Sequence, residues 1–342
     1  MDDLIAARLE APLLKQRRPI GLFWLEKIWL LIDWLQIYGL LWNAANSFPW
    51  PYLWIQWTSW TVWANLDYFS TTPDGALNGG SGNVAVSQWG QMPYYIYYSV
   101  GFALPLFSAL LYYLYLKQYY YHSYGFYREV ERHTYLKYFL TISHLLYLPV
   151  GLAVFRLYYC DDADNAADGI NKLACDPSLD CMSTPHLIAL SLGTLFVFPL
   201  IVGLPLVSYQ YITKSVIYTE PEDHEKKLQV QEIMYTLGVN ETWAEGQMWL
   251  MSSFRRDCVY YRVEMLVMKL VLLLIFIYCR SDKVIQATLL WIVYSQYCIR
   301  YIFFKWPYRL NSSNLLLKIL LAVLMTDVTF GLFNAMVSPH YK

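Results

Sequence analysis

Ionisable side chains inside long apolar segments are the residues of this sequence best placed to do chemistry. Each such segment is about the 20 residues that a helix rising 1.5 Å per residue needs to cross a bilayer. An ionised group in hydrocarbon costs several kcal/mol unless it meets an opposite charge or an aqueous passage. Residues of this kind are therefore candidates for an ion pathway or its gate. The candidate pore or gating residues are Asp33, Glu264, Lys269, Arg300 and Asp327.

The depth of each candidate along its helix predicts which of them can pair. If the first of the last three apolar segments runs outwards and the second returns, Glu264 and Arg300 both lie about 6 to 8 Å from the inner boundary. Lys269 and Asp327 lie nearer the middle, at about 15 and 18 Å, close enough for a second bridge, direct or through water. The alternative is that these contacts only hold the helices together, each with about 1 kcal/mol.

The composition is typical of a protein that crosses a membrane several times. Hydrophobic residues make up 57% of the 342 residues, aromatic residues 18% and charged residues only 15%, which departs from the averages of soluble proteins. We therefore expect an all-α fold, a multi-pass bundle of about seven transmembrane helices that forms a single transmembrane domain over residues 22–342. The expected spans are 22–45, 93–117, 135–159, 187–213, 259–279, 284–304 and 315–337.

The distribution of Lys and Arg predicts the orientation of this bundle. Residues 1–21 carry a basic cluster and are expected to form a cytoplasmic N-terminus. No Lys or Arg occurs between Lys27 and Lys117, which places the loop between the first two spans outside. Residues 230–254 are expected to lie on the inner interface as an amphipathic segment. The sequence thus predicts an integral protein of the plasma membrane or another membrane of the secretory pathway.

A series of tryptophans after the first span predicts a helix on the outer membrane surface. The four residues are Trp50, Trp54, Trp57 and Trp60. Their spacing places the indoles on one helical face, and Trp favours the interface, where the ring is buried and its N–H stays hydrated. Two alternatives remain open, a full span and a re-entrant pore helix.

Cysteines on the expected outer side predict disulfide bonds. The candidates are Cys160, Cys175, Cys181 and Cys279, and four cysteines allow three pairings. Cys258 and Cys298 fall on the inner side or within the membrane and are expected to be free thiols. The acidic loop that contains three of the candidates does not match the ligand positions of a calcium-binding loop, so no metal site is expected there.

The sequence contains no catalytic constellation. The six His residues are scattered, without the spacings of a metal pair, and neither a nucleophile elbow nor a phosphate loop is present. His144, alone in the third span, is expected to be a packed, hydrogen-bonded residue. We expect no enzyme activity and no cofactor, and the net charge of -1 gives no indication of a nucleic-acid partner.

Six short motifs follow one another along most of the chain. They are Leu35-Gln36 with Trp50-Pro51, Tyr147-Leu148-Pro149 leading to Cys160, Cys175-Asp176-Pro177-Ser178 with Cys181, Gly203-Leu204-Pro205, Tyr260-Tyr261 with Glu264 and Lys269, and Trp306-Pro307-Tyr308 with Asn311. In this order they resemble the transient-receptor-potential-like (polycystin-like) multi-pass membrane domain of protist and algal proteins. The resemblance implies an ion-channel-like fold.

Two functions are consistent with these observations. The first is an ion-channel-like membrane protein, cation-conducting or channel-associated, with its conduction or gating elements in the last three spans. The second is a non-conducting structural subunit that anchors a larger membrane assembly. The expected partners are membrane lipids, further copies or other subunits, and cations.

Overall fold

The computed structural model describes the chain in eleven stretches. They are 20–42, 52–58, 60–61, 64, 110–111, 127–158, 160–161, 171–173, 176–216, 253–279 and 283–337. Four expectations lie wholly or mostly outside these residues. They concern the N-terminus, the span 93–117, the amphipathic segment 230–254, and the positions of Trp50 and Cys175.

The described residues are overwhelmingly helical, so the expected all-helical class is confirmed. The α-helices are α1 (Ile20–Gly39), α2 (Tyr52–Thr58), α3 (Tyr127–Arg156), α4 (Thr184–Leu192), α5 (Phe198–Val216), α6 (Tyr261–Tyr278), α7 (Lys283–Ile299) and α8 (Asn311–Val337). A π-helical turn at Gly193–Val197 joins α4 to α5, and another at Arg300–Phe304 extends α7. Six of the expected spans therefore coincide with helices, with ends displaced by a few residues.

Two helical stretches among the described residues are long and apolar enough to cross a membrane. They are Thr184–Thr213, which comprises α4 and most of α5, and Asn311–Val337, which is α8. Leu140–Arg156, within α3, is a shorter apolar helix. Length and composition thus identify two possible spans, fewer than the number expected from the sequence.

Helices α1, α3 and α6 run in the same direction. Asp33 of α1 contacts Lys269 of α6, and Glu26 and Arg262, each seven residues earlier on those helices, line one cavity. His144 of α3 lines the same cavity, and α3 approaches α6 again one to two turns later. Helix α6 also packs against α5 and α7, and α7 packs against α8. Helix α6 is therefore the central helix of the described bundle.

A tight turn between α7 and α8 is fastened to the segment that leads into α6. Pro307 cannot donate a helical hydrogen bond and disfavours helix in the residue before it, and the chain is extended at Lys305. Asn314, in the first turn of α8, accepts from the Tyr308 amide at 2.9 Å and donates to the Tyr308 carbonyl at 2.7 Å. The Arg255 amide donates to the Pro307 carbonyl at 2.8 Å. The start of α6 is thus tied to the start of α8.

A small three-stranded antiparallel sheet interrupts the helical architecture between α3 and α4. Its strands are Cys160–Asp161, Lys172–Leu173 and Asp176–Asp180, in that order across the sheet. Cys160 and Cys181, which begin and follow this sheet, form a disulfide. Cys279 is a free, half-buried thiol at the end of α6, so the expectation that it joins a disulfide is wrong. The sheet brings Cys181 to Cys160, which leaves Cys279 without that partner.

The other two described cysteines are free thiols, as expected, and the structure shows that both are buried. Cys258 and Cys298 are both almost inaccessible to solvent. Burial, followed by the neighbouring Asp257 carboxylate, raises the pKa of Cys258 to about 11. Because the thiolate is the reactive form, this thiol stays protonated and unreactive at neutral pH.

The contact between α3 and α6 gives a direct test of the bundle. A Cβ at Gly151 would lie 2.5 Å from Leu273 Cδ1 and Leu273 is fully buried, whereas a Cβ at Gly203 of α5 would meet nothing within 4 Å. Both Gly→Ala changes gain about 1 kcal/mol of helix propensity, but only Gly151→Ala overpacks the core, at a cost of about 1 to 3 kcal/mol.

We therefore expect Gly151→Ala to have a lower melting temperature in detergent than Gly203→Ala. Leu273→Ala makes room for the new methyl group. We therefore expect Gly151→Ala to lower the melting temperature less in the Leu273→Ala background than in the wild type. Equal melting temperatures for the two single variants would show that α3 and α6 do not meet at this point.

Candidate functional site

A buried ammonium group lies at the centre of the candidate site. Lys269 of α6 is only 1% exposed. Its Nζ donates to Asp33 Oδ1 at 2.7 Å and to Gln36 Oε1 at 2.9 Å. Asp33 and Gln36 are three residues apart on α1 and so share one helical face. Gln36 Nε2 in turn donates to the Leu145 carbonyl of α3 at 2.7 Å, so one cluster joins α1, α3 and α6.

A small cavity adjoins this cluster. Its volume, taken as the space open to the centre of a water molecule, is about 10 Å³. Five ionisable side chains line it, and Trp29, Phe254, Tyr261 and Tyr308 supply aromatic walls. The ionisable residues are Glu26 and Asp33 of α1, His144 of α3, and Arg262 and Lys269 of α6. Two carboxylates thus face two cations, which balances the formal charge of the cavity.

His144 contributes the imidazole of this cavity and is packed as expected. It is buried, and its Nδ1 lies 2.7 Å from the Leu140 carbonyl one turn earlier on α3. Because a carbonyl oxygen only accepts, Nδ1 carries the ring proton of the neutral imidazole. The expectation of a packed, hydrogen-bonded histidine is therefore confirmed, and the structure adds that the ring lines a polar cavity.

Asp327 has a different partner from the one its depth predicts. Its Oδ2 accepts a 2.6 Å hydrogen bond from the Tyr38 hydroxyl of α1, and the carboxylate is 6% exposed. Trp34, one turn before Tyr38, stacks on its ring and donates from Nε1 to the Leu320 carbonyl of α8 at 2.8 Å. The expected bridge between Lys269 and Asp327 is wrong, because α1 supplies a separate partner to each.

The predicted pair of Glu264 and Arg300 is present at one end of the bundle. Arg300 Nη2 donates to Glu264 Oε1 at 2.8 Å, and the Tyr301 hydroxyl donates to the other carboxylate oxygen. The side chains of Arg300 and Glu264 are 47% and 34% exposed. The predicted contact between α6 and the end of α7 is therefore confirmed, in a more accessible setting than that of Lys269.

Three of the four tryptophans that are expected at the membrane interface fall within the described residues. Trp54 and Trp57 belong to α2, and Trp60 follows in a 3-10 turn. All three indoles are exposed, with Trp57 the most exposed at 77%. A short helix with exposed indoles is the geometry that an interfacial helix requires.

One trio of described residues has metal-type donors close together, namely Cys160, Cys181 and His186. The two sulfurs are bonded to each other. His186 lies with Nε2 2.8 Å from the Leu157 carbonyl and accepts at Nδ1 from the Met182 amide at 3.2 Å. The imidazole therefore fastens the end of α3 to the start of α4, and the trio is not a metal site in this form.

No family model, characterised protein or solved structure matches this chain. The arrangement of its own residues is therefore what a functional proposal has to rest on.

Sequence reasoning missed several residues of the site. Glu26, Gln36, Tyr38 and Arg262 were not among the candidates, although all are polar and lie within or beside apolar segments. Asp33, Gln36 and Lys269 lie on helices separated by more than 200 residues of sequence. Gln36 could have been found as a polar position three residues from Asp33 on the same helix face, and Glu26 and Arg262 as positions seven residues, about two turns, before Asp33 and Lys269.

The Lys269 cluster makes a strong prediction about stability. Lys269→Met leaves the Asp33 carboxylate inside the bundle without its cation, which costs about 3 to 5 kcal/mol. The double variant Asp33→Asn/Lys269→Met removes both charges and should recover most of that loss. The free energy of unfolding is measured by denaturant titration in detergent micelles.

Arg300→Gln is the matched control, because its pair is partly exposed and contributes less than about 1 kcal/mol. A double variant as unstable as Lys269→Met would mean that the ion pair is not what the single substitution disrupts.

Proposed function

We propose that this chain is a multi-pass membrane protein with ion-channel-like activity, in which charge pairs between helices serve as gating elements for cation conduction. The observation that carries the proposal is the buried Lys269 ammonium, held by Asp33 and Gln36 of another helix beside a polar cavity. Ionisable groups within a membrane are costly and are typical of ion pathways and gates. The resemblance of its short motifs to those of transient-receptor-potential-like domains favours the same function.

The exposed surface supports a membrane environment. In the most apolar 18 residues of Thr184–Thr213 only 29% of the window is buried, and in those of Asn311–Val337 only 33%. On α8, Leu315, Ile319, Phe330 and Phe333 are each more than half exposed. A water-soluble protein rarely exposes so large an apolar surface, whereas lipid tails cover it without cost.

The helix directions support the alternating topology. Helices α1 and α3 run the same way, and we propose the apolar segment 93–117 as the return between them. Helices α4–α5 and α7 are the proposed later returns. The proposal therefore keeps about seven crossings, a cytoplasmic N-terminus, and a plasma or secretory-pathway membrane.

The described cavity is too small to be the ion pathway itself. A space of about 10 Å³ admits water but not a hydrated metal cation. The proposal therefore places conduction on the axis of a symmetric homo-oligomer, lined by exposed helix faces. The Lys269 and Glu264 pairs would control how α6 sits against α1 and α7, and so whether that axis is open.

A non-conducting structural subunit is the second candidate. It is favoured by the fact that Lys269, Glu264 and Asp327 each have a partner in their own chain. Purification separates the two functions, because stoichiometric foreign partners and no central axis would support the anchoring role.

Cation flux into liposomes tests the channel. Purified protein is reconstituted, and potassium and sodium fluxes are recorded for the wild type and for Lys269→Asp, Asp33→Lys and the charge-swapped double variant. We expect each single variant to change the open probability at least tenfold and the swap to restore it, because only the swap re-forms the pair.

Arg300→Lys keeps its charge and serves as a control with near-normal flux. A wild-type protein that inserts correctly and passes no cation would overturn the channel proposal. Normal flux in the folded single variants would remove the pair from the gating role while leaving conduction intact.

A further inference from the structure

The end of the bundle where α6 and α8 begin carries a concentrated positive charge. In residues 253–264 and 300–318 the cations other than Arg262, which lines the interior cavity, are Arg255, Arg256, Arg300, Lys305, Arg309 and Lys318. The acidic residues of the same two stretches are Asp257 and Glu264, and Glu264 is paired with Arg300. All six of these cationic residues are at least partly exposed. We call this set of six residues the basic rim.

Backbone contacts hold the basic rim together as one surface. The strand-like contact between Phe254 and Tyr308 joins the segment before α6 to the α7–α8 turn. The Arg309 amide donates to the Ser253 carbonyl at 3.0 Å, and Arg255 Nη2 approaches Asn311 Oδ1 at 3.5 Å. Cations from two distant stretches of sequence are thus placed side by side by the fold.

Aromatic and apolar side chains stand next to the basic rim. Phe303 and Phe304, which end the π-helical turn, are 71% and 77% exposed. Trp306 is also exposed, and the Lys318 ammonium lies 3.9 Å from the centre of its ring. A cation above an indole, flanked by exposed phenylalanines, is the arrangement by which side chains anchor at the boundary between headgroups and hydrocarbon.

The other end of the bundle has a different character. The start of α4 lies beside the disulfide-linked sheet, whose third strand begins at Asp176 and ends at Asp180. The described part of α8 beyond Lys318 contains one ionisable residue, Asp327. At this end Arg156, Lys172 and Lys283 are balanced by Asp161, Asp176 and Asp180, whereas cations outnumber acids at the start of α6 and α8.

We propose that the basic rim is a binding surface for the headgroups of anionic phospholipids, of the phosphatidylserine class, in one leaflet of the membrane. The rim cations contact the lipid phosphates and carboxylates, while Phe303, Phe304 and Trp306 insert among the upper acyl chains. This inference rests on the membrane-spanning part of the proposed function and does not depend on conduction. It places the turn between α7 and α8 on the leaflet that holds the anionic lipid.

The choice of a lipid over a soluble anion follows from the neighbours of the charges. A site for free phosphate would surround the anion with donors, whereas the rim cations are spread along an edge. Phe303 and Phe304, two of the most exposed aromatic residues described, directly precede Lys305 of the rim. Charge and apolar surface in the same strip match a molecule that has an anionic head and an apolar tail.

Binding of short-chain lipids to the intact protein in detergent tests the proposal. Dioctanoyl-phosphatidylserine, dioctanoyl-phosphatidylcholine and inorganic phosphate are titrated separately by calorimetry. We expect phosphatidylserine to bind at least tenfold more tightly than either of the others. Each basic residue near an anionic surface is worth about 1 kcal/mol, so Lys305→Gln/Lys318→Gln should weaken phosphatidylserine binding about 30-fold.

Two control variants keep the test specific. Lys305→Arg/Lys318→Arg preserves both charges and should bind as the wild type does, and Lys283→Gln removes one charge at the opposite end of α7 and should have no effect. Melting temperatures in lipid-free detergent show whether each variant is folded, and Lys318→Gln alone, with an expected loss of about fivefold, replaces the double variant if that does not fold.

Several results would overturn the inference. These are equal binding of the two lipids, binding of inorganic phosphate as tight as that of phosphatidylserine, or the same loss in Lys283→Gln as in the double variant. Selective phosphatidylserine binding by a protein that passes no cation would refute the channel alone. Release of the protein from membranes by alkaline carbonate would refute the membrane-spanning premise of both.

Discussion

The Lys269 ammonium is the group on which the described bundle depends. A cation that is 1% exposed has given up nearly all of its hydration, and only strong local acceptors can offset that loss. Asp33 and Gln36 supply them from a single face of α1, and Gln36 extends the contact to α3. The relative positions of three helices along the bundle axis are thereby fixed, because sliding any of them by one turn would break a hydrogen bond of this cluster.

The position of α6 explains how a local electrostatic change could reach the rest of the protein. This helix packs against α3, α5 and α7, and it contacts α1 through Lys269 and the end of α7 through Glu264. The segment that leads into α6 is tied to the α7–α8 turn by backbone hydrogen bonds. A shift of α6 would therefore act both on the interior charge pair at its middle and on the basic rim at its start. Small shifts of a packed helix between discrete arrangements are a common switching element in proteins.

Charge is used in two ways in this structure. Inside the bundle, carboxylates and cations are balanced around a cavity too small for a hydrated metal ion, which limits the cost of burying them. At the end where α6 and α8 begin, cations outnumber acids and stand beside exposed aromatic rings. The interior network favours a role in holding or moving helices, and the basic rim favours the proposed contact with anionic lipid. The disulfide-linked sheet fixes the connection between α3 and α4 away from both.

The amino-acid sequence by itself determined the helical class, the approximate positions of six helices, the contact between Glu264 and Arg300, and the free state of the thiols Cys258 and Cys298. These follow from quantities that are local along the chain, namely apolar length, helical rise and the spacing of charges. Only the tertiary structure decided that Lys269 meets Asp33 and that Asp327 meets Tyr38. It also decided that Cys181 bonds to Cys160, so that Cys279 is a free thiol. Helical rise gives the depth of a residue within a bundle but carries no information about which helix stands beside it, because lateral neighbours are chosen by packing over the whole surface of every helix at once.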